Sequence, residues 1–346
     1  MANQWSRRGF LSVLGGAALV ACKGGNPPPG APKPGDNPLP AGGTMPTREL
    51  GNTGVKVSIL GLGGHHIGRP RDEKEGIRIV QMALDHGMNF LDNCWDYNGG
   101  ESERRMGKAL REGYRQKAFL MTKLDGRTKG AAAAQLEQSL SRLRTDVIDL
   151  VQIHEVIRSS DPGRAFSSNG VIEALASAKK AGKLRYIGFT GHKDPAIHLA
   201  MLQAAKDHGF TFDTVQMPIN PMDPHYKSFG QQVVPEAQKQ KTGVLGMKCM
   251  GDGLLLQGGI VSARECLRYA LSQPTSVVIT GCESLGVLEQ ALSVGMRFTP
   301  MSDAEQGALL SRTARVGSSG ELEKFKTTEQ FDGTTKHPEW LETASL

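Results

Sequence analysis

The sequence predicts an α/β fold, a (β/α)8 TIM barrel with an N-terminal hairpin and a C-terminal helix and tail. Eight short β-prone runs begin at Val57, Asn89, Ala118, Val147, Tyr186, Thr214, Gly243 and Ser276, at intervals of 32, 29, 29, 39, 28, 29 and 33 residues. A strand with its returning helix takes about 30 residues, and parallel strands need crossovers of that kind. Between the runs, apolar residues recur at helical spacing: Ile77, Val80 and Leu84; Leu136, Leu140 and Leu143; Val171, Leu175 and Ala178; Ala263, Leu267, Ala270 and Leu271. Such spacing makes one buried helix face. Eight units in roughly 220 residues suit a barrel. An open doubly wound sheet is the alternative. Against it, Gly61-Leu-Gly-Gly-His-His66 lacks the third glycine and the helix start of a dinucleotide fingerprint.

Composition sets the outer bounds. Of 346 residues, 38% are hydrophobic and 22% charged, enough apolar material for a large core and too little for a multi-span membrane protein. The formal charge is +6, but Arg7, Arg8, Lys23 and Lys33 against Asp36 put half of it before residue 47. The remainder carries no concentrated basic face, which argues against nucleic acid as a partner.

In chain order, residues 1–22 read as an export signal. Ser6-Arg7-Arg8-Gly9-Phe10-Leu11 opens an apolar run too short to span a bilayer and is similar to a twin-arginine (Tat) address. Leu19-Val20-Ala21-Cys22 resembles a lipobox, with Cys22 lipidated and the Tat export machinery and the membrane as partners. A soluble signal with an incidental cysteine is the other reading. Localisation is therefore expected outside the cytoplasm, in the periplasm, through an N-terminal lipid. Residues 23–46 hold eight of the 18 prolines and six glycines, which predicts a solvated tether outside the fold. Residues 47–346 form the barrel domain. Arg48-Glu-Leu-Gly-Asn-Thr-Gly-Val-Lys56 predicts a hairpin before the first barrel strand. The 39-residue interval after Val147 places an insertion at about 155–170. A helix is expected at about Ser302 to Val316, and a polar tail follows from Gly317.

Barrel sites form just past the C-terminal ends of the strands. Those positions hold His65 and His66, Asp92, Lys123, His154, Thr190, Gln216, Lys248 and Thr280, with Tyr97 five residues beyond Asp92. Singly, each is ordinary: a lysine after a strand is usually solvated, and a histidine usually structural. Together they have a definite chemistry. A phenol is a weak acid near pH 7. An adjacent ammonium stabilises its phenolate, a carboxylate orients the ammonium, and an imidazole opposite can hold a carbonyl oxygen.

On these residues the sequence resembles the aldo-keto reductase family over about residues 48 to 300. The matching stretches are Asn89-Phe-Leu-Asp92 through Tyr97, Leu120-Met-Thr-Lys123, Asp149-Leu-Val-Gln-Ile-His154, Gly188-Phe-Thr190 and Val215-Gln216. The resemblance implies a nicotinamide-dependent oxidoreductase acting on a small carbonyl or alcohol substrate. Tyr97 would be the general acid–base, Lys123 the group lowering its pKa, Asp92 the partner of Lys123, and His154 the residue orienting the carbonyl. It also implies a cofactor, NADP or NAD, along Gly64, Thr190, Gln216, Met247, Lys248, Gly251, Gly281, Glu289 and Gln290. Thr190 and Gln216 would meet the carboxamide, Lys248 the pyrophosphate, and Gly281 with Glu289-Gln290 the adenosine side. His65, His66 and Trp95 are expected in the substrate pocket.

This chain departs from the family pattern in three places. Asn93-Cys94 replaces Thr-Ala, Met247 stands where many members stack an aromatic ring, and no arginine stands near Gly286 to grip a 2′-phosphate. Cys94, Cys249, Cys266 and Cys282 form no C-x-x-C pair, so no metal is expected. Two function classes remain, a catalytic oxidoreductase and a cofactor-binding partner subunit. The complete set Asp92, Tyr97, Lys123 and His154 favours the first.

Overall fold

The computed structural model describes residues 31–70 and 72–342. Arg7, Arg8 and Cys22, on which the export and lipidation readings rest, lie outside the described residues. The hairpin is present: β1 (Thr47–Glu49) pairs antiparallel with β2 (Lys56–Ser58), Arg48 opposite Val57. The barrel strands are β3 (Leu60–Gly63), β4 (Phe90–Asp92), β5 (Phe119–Leu124), β6 (Ile148–Ile153), β7 (Leu184–Thr190), β8 (Thr214–Pro218), β9 (Gly243–Met247) and β10 (Val277–Gly281). All pair in parallel with their sequence neighbours, and β10 pairs with β3 to close the barrel. The run starting at Val57 thus splits between the hairpin and β3.

The apolar patterns have the consequences physics assigns them. In helix Lys129–Leu143, Leu136, Leu140 and Leu143 are buried, and the Thr128 hydroxyl caps the N-terminus by accepting from Ala131 N at 3.2 Å. Ser262 with Glu265, and Ser302 with Glu305, form capping boxes that start helices Ala263–Ser272 and Asp303–Gly317. The interval after β6 holds a short helix, Asp161–Ala165.

Inside the barrel, Phe90, Phe119, Met121, Leu150, Leu245, Val277 and Ile279 cluster with Leu50 and Val57 of the hairpin. The hairpin therefore stoppers the end at which the strands begin. Gly51 makes the close approach possible. Its φ is +54°, and a Cβ there would lie 2.4 Å from Gly243 N.

The N-terminal segment differs from its expectation, and the tail, for which the sequence set none, takes a definite form as far as residue 342. The described part of the tether packs on the barrel. Met45 is buried in the outer core beside Gly295, Gly35 N–H donates to Glu289 Oε2 at 2.6 Å, and Asn37 accepts from Arg264. Proline and glycine content alone suggested a solvated segment, but three anchors and the stiffness of proline suffice to lay it down. The C-terminal tail is also ordered. With short helices Lys324–Thr327, Gly333–Lys336 and Glu339–Glu342, it crosses the loops that follow β5, β6, β7 and β8.

Candidate active site

Strand β4 ends on Asp92, and β5 carries Lys123 one residue before its end. Pairing of β4 with β5 brings the two side chains together as an ion pair almost fully withdrawn from solvent. The Lys123 ammonium also donates to Asn93 O at 2.8 Å and to Tyr97 Oη at 3.2 Å. The second oxygen of Asp92 accepts from Gln216 Nε2 at 2.7 Å. The ends of three strands, β4, β5 and β8, thus converge on one network.

The electrostatics differ from expectation in one respect. Burial pushes the Tyr97 phenol well above its ordinary pKa, and Asp92, Cys94, Asp96 and Glu155 push the same way. The net shift is upward even with the Lys123 ammonium 3.2 Å from the hydroxyl. Tyr97 stands there as a protonated donor.

His154 follows β6, and its ring lies edge-on to Tyr97 with centroids 5.8 Å apart. Nδ1 is 2.8 Å from Asp125 Oδ1, 3.2 Å from Cys94 Sγ and 3.7 Å from Asp96 Oδ1. Burial alone would lower its pKa, but Asp125 and Asp96 overcome that and hold it above its ordinary value. Burial, with Asp125 beside it, raises Asp96 to about 7.

His65 packs edge-on against Tyr97 at 5.1 Å and against His66 at 5.5 Å. Desolvation takes His65 down to about 3 and His66 to about 4, so both rings are neutral near pH 7. Trp95 faces elsewhere. Its indole N–H donates to Gln138 Oε1 at 2.7 Å, and its ring meets Trp340 of the tail and the Arg142 guanidinium.

Thr190 Oγ1 lies 3.9 Å from Met247 Sδ. Lys248 sits over the rings of Phe325 and Phe331 in the tail. Gly64, Gly251 and Gly281 are all tightly hemmed: a Cβ would lie 2.5 Å from Asp92 O, 2.1 Å from Leu255 Cδ1 and 2.1 Å from His66 Nδ1, respectively. Glu289 and Gln290 stand on helix Leu285–Met296, away from Tyr97, with Glu289 bound to Gly35. At Gly286 a Cβ would lie 2.0 Å from Pro32 O. The N-terminal segment itself covers the place where the arginine is absent.

Sequence reasoning passed over Cys94, Asp96 and Asp125 as partners of His154, and Glu155 and His192 as anchors of the tail. The signal was available. Asp125 and His192 lie two residues past Lys123 and Thr190, and alternation along a strand puts such pairs on one side.

Comparison with known proteins accords with this geometry. Residues 59–264 match the family described as Aldo/keto reductase family, which is more than half of the chain. An aldo-keto reductase of Alternaria alternata is 35% identical over 182 residues, covering 41% of this chain and 48% of that one. The chain thus spans about half the length of the curated relatives it matches first. The oxidoreductase YrpG of Bacillus subtilis is 30% identical over 226 residues, covering 60% of this chain and 67% of that one. Among solved structures, an aldo-keto reductase from Bacillus halodurans in holo form superposes with a TM-score of 0.65 at 25% identity, covering 78% of this chain and 96% of that one. The chain belongs to the aldo/keto reductase family.

Proposed function

We propose that this protein is a nicotinamide-dependent oxidoreductase that reduces an aldehyde, ketone or sugar carbonyl, or oxidises the corresponding alcohol. The observation that carries the reading is the buried set Asp92–Lys123–Tyr97 with His154 beside it. The residues present fit a nicotinamide. Gln216 Oε1 and Thr280 Oγ1 are buried with no hydrogen-bond partner, and an acceptor such as Gln216 Oε1 suits the amide N–H of a carboxamide. When bound, the reduced cofactor, NADPH or NADH, would supply the hydride for carbonyl reduction, and the oxidised form would accept it in the reverse direction. Thr190, Gln216, Met247 and Lys248 would hold it.

The chain's own part is proton transfer and orientation. His154 holds the carbonyl oxygen near Tyr97 Oη, and Tyr97 gives its proton to that oxygen as the carbon is reduced. The phenolate left behind is then stabilised by the Lys123 ammonium, 3.2 Å away. Asp92 keeps the ammonium in place.

The test is consumption of reduced nicotinamide against a panel of aldehydes, ketones and sugars, by wild type and Tyr97→Phe. Loss of a positioned acid costs about 10²- to 10⁴-fold in kcat, with cofactor affinity unchanged. A Phe variant that keeps more than a tenth of wild-type kcat would overturn the assignment.

The location of this activity is a second part of the proposal. The Arg7-Arg8 address and the Cys22 lipobox support export by the Tat route and anchoring outside the cytoplasm. With residues from 31 onward against the barrel, eight residues separate Cys22 from the packed segment. Their reach is at most about 29 Å, so the barrel would work close to the bilayer. Cys22→Ala should move the protein from the membrane fraction to the soluble one.

A further inference from the structure

We infer that Cys94, Asp96, Asp125 and His154 form a binding site for a divalent cation of the zinc type. Their ligand atoms, Sγ, two carboxylate oxygens and Nδ1, all lie within 4.8 Å of one another. Zinc takes sulfur at about 2.3 Å and nitrogen or oxygen at about 2.0–2.2 Å in tetrahedral array. That geometry sets ligand-to-ligand distances of roughly 3.3–3.8 Å. The separations of His154 Nδ1 from Cys94 Sγ and Asp96 Oδ1, 3.2 and 3.7 Å, are already close to these values, and its 2.8 Å separation from Asp125 Oδ1 needs to open by about half an ångström.

An independent observation points to a ligand. Asp125 is fully buried, and its Oδ2 has no hydrogen-bond partner among the described residues. Two carboxylates facing one imidazole at low dielectric favour a positive charge, which a bound cation would supply in exchange for the His154 proton. The neighbouring cations are already committed. Lys123 is held by Asp92, Asn93 O and Tyr97. Arg127 binds Asp161 and the carbonyls of Asp125, His154 and Glu155. A mixed Cys, His and carboxylate donor set selects zinc-like ions over magnesium or calcium, which take oxygen donors only. The site uses Nδ1 of His154 and leaves Nε2 for a substrate oxygen, so it is compatible with the oxidoreductase reading without depending on it.

The four ligands come from the loops after three different strands, which is why no cysteine spacing announces them. The test uses the purified full chain, stripped with a chelator and titrated with Co²⁺ and with Zn²⁺. One equivalent of Co²⁺ should bind, giving a thiolate-to-metal charge-transfer band and tetrahedral d–d bands, and Zn²⁺ should displace it. Zn²⁺ should also raise the thermal midpoint. Cys94→Ser should abolish the charge-transfer band, and Asp125→Asn should weaken Co²⁺ affinity at least tenfold, with circular dichroism verifying the fold of each. If one variant fails to fold, the other and the wild-type Co²⁺ spectrum still decide. Absence of Co²⁺ binding below millimolar concentration, or an unchanged spectrum in a folded variant, would show that the four groups are only a hydrogen-bonded network. Turnover is read separately with Tyr97→Phe, so failure of the cation site and failure of the oxidoreductase reading stay distinguishable.

Discussion

At the end where the strands begin, Leu50 and Val57 of the hairpin drop onto Phe90, Phe119 and Met121 in an apolar plug, while Asp149 with Arg115 and Arg185 ties the strand starts around it. At the opposite end the tail meets the barrel through charge. Glu155 accepts from Gly333 N, Thr334 N and Thr334 Oγ1, His192 Nε2 lies 3.0 Å from Asp332 Oδ1, and Lys326 is buried between Asp223 and Glu323. Both segments close a barrel end, by opposite chemistry. Apolar burial is favourable wherever it occurs, whereas desolvated ion pairs often do no better than hydrophobic replacements. On the proposed function the charged end would serve the chemistry and the apolar end the stability, and substitutions at the two should then separate activity from folding.

The largest effect is expected where the two demands conflict. Replacing Lys123 alone with Met leaves the Asp92 carboxylate buried with only Gln216 Nε2 on its second oxygen, and should cost about 3–5 kcal/mol of stability. Replacing both, as Lys123→Met with Asp92→Leu, should restore stability to wild type or up to about 4 kcal/mol above it. Turnover should be lost by at least about 10²-fold in both proteins. Urea unfolding and steady-state kinetics on the same preparations decide the matter. A double variant as unstable as the single one would mean that the pair holds the fold.

Leu50→Ala is the counterpart at the other end. Leu50 is completely buried, and its truncation should cost about 2–5 kcal/mol while kcat and KM stay at wild-type values. A change in kcat without loss of stability would break the division between the ends.

The same division governs what the sequence made legible. Evenly spaced β-prone runs located the strands, apolar periodicity the helices between them and a Gly turn the hairpin, because each answers a local, repeated demand. Asp92, Tyr97, Lys123 and His154 were readable because each stands at or just past a strand end. Asp125, although two residues past Lys123, and Asp96 were passed over because a carboxylate on a loop looks solvated until the fold buries it. The tail was opaque for a related reason: its anchors are Glu323, Lys326, Asp332 and Thr334, polar residues whose burial depends on partners more than a hundred residues away. In the N-terminal segment, Asn37 and Met45 hold a stretch whose average composition is that of a linker.

A smaller effect should appear as pH dependence. His198 is fully buried among Phe189 and Phe229 and lies 3.2 Å from Gln216 O through Nε2. Desolvation lowers its pKa from 6.5 to about 4, so the native ring is neutral. Below 6.5 the unfolded chain binds a proton that the native chain refuses until about 4. The stability from this residue is fully present above 6.5 and falls as pH drops through that window, by about 3 kcal/mol as an order of magnitude. His65 and His66 act in the same direction. His198→Phe should flatten the acid limb of stability measured by urea unfolding between pH 7 and 4; parallel limbs would show that His198 is protonated in the native state.

The smallest effect concerns the tail and tests whether the charged closure can open apart from the barrel. Thr334→Val keeps the shape of the side chain but removes one of the three donors to Glu155, the hydroxyl at 2.6 Å. A hydrogen bond to a charged group is worth about 1.5–3 kcal/mol, which corresponds to a tenfold or larger rise in the open population. Opening a surface segment is a sub-global event, so the free energy of complete unfolding should change little. Proteolysis within 318–342 should therefore quicken about tenfold, while hydrogen exchange in β5 and β6 keeps its wild-type protection. The substrate side follows the same logic. If the tail narrows the mouth beside His65 and His154, KM should rise several-fold with kcat preserved, because proton donation by Tyr97 is untouched. Equal acceleration of exchange in tail and strands would mean instead that the two ends unfold as one unit, and that the polar closure carries as much of the fold as the hairpin does.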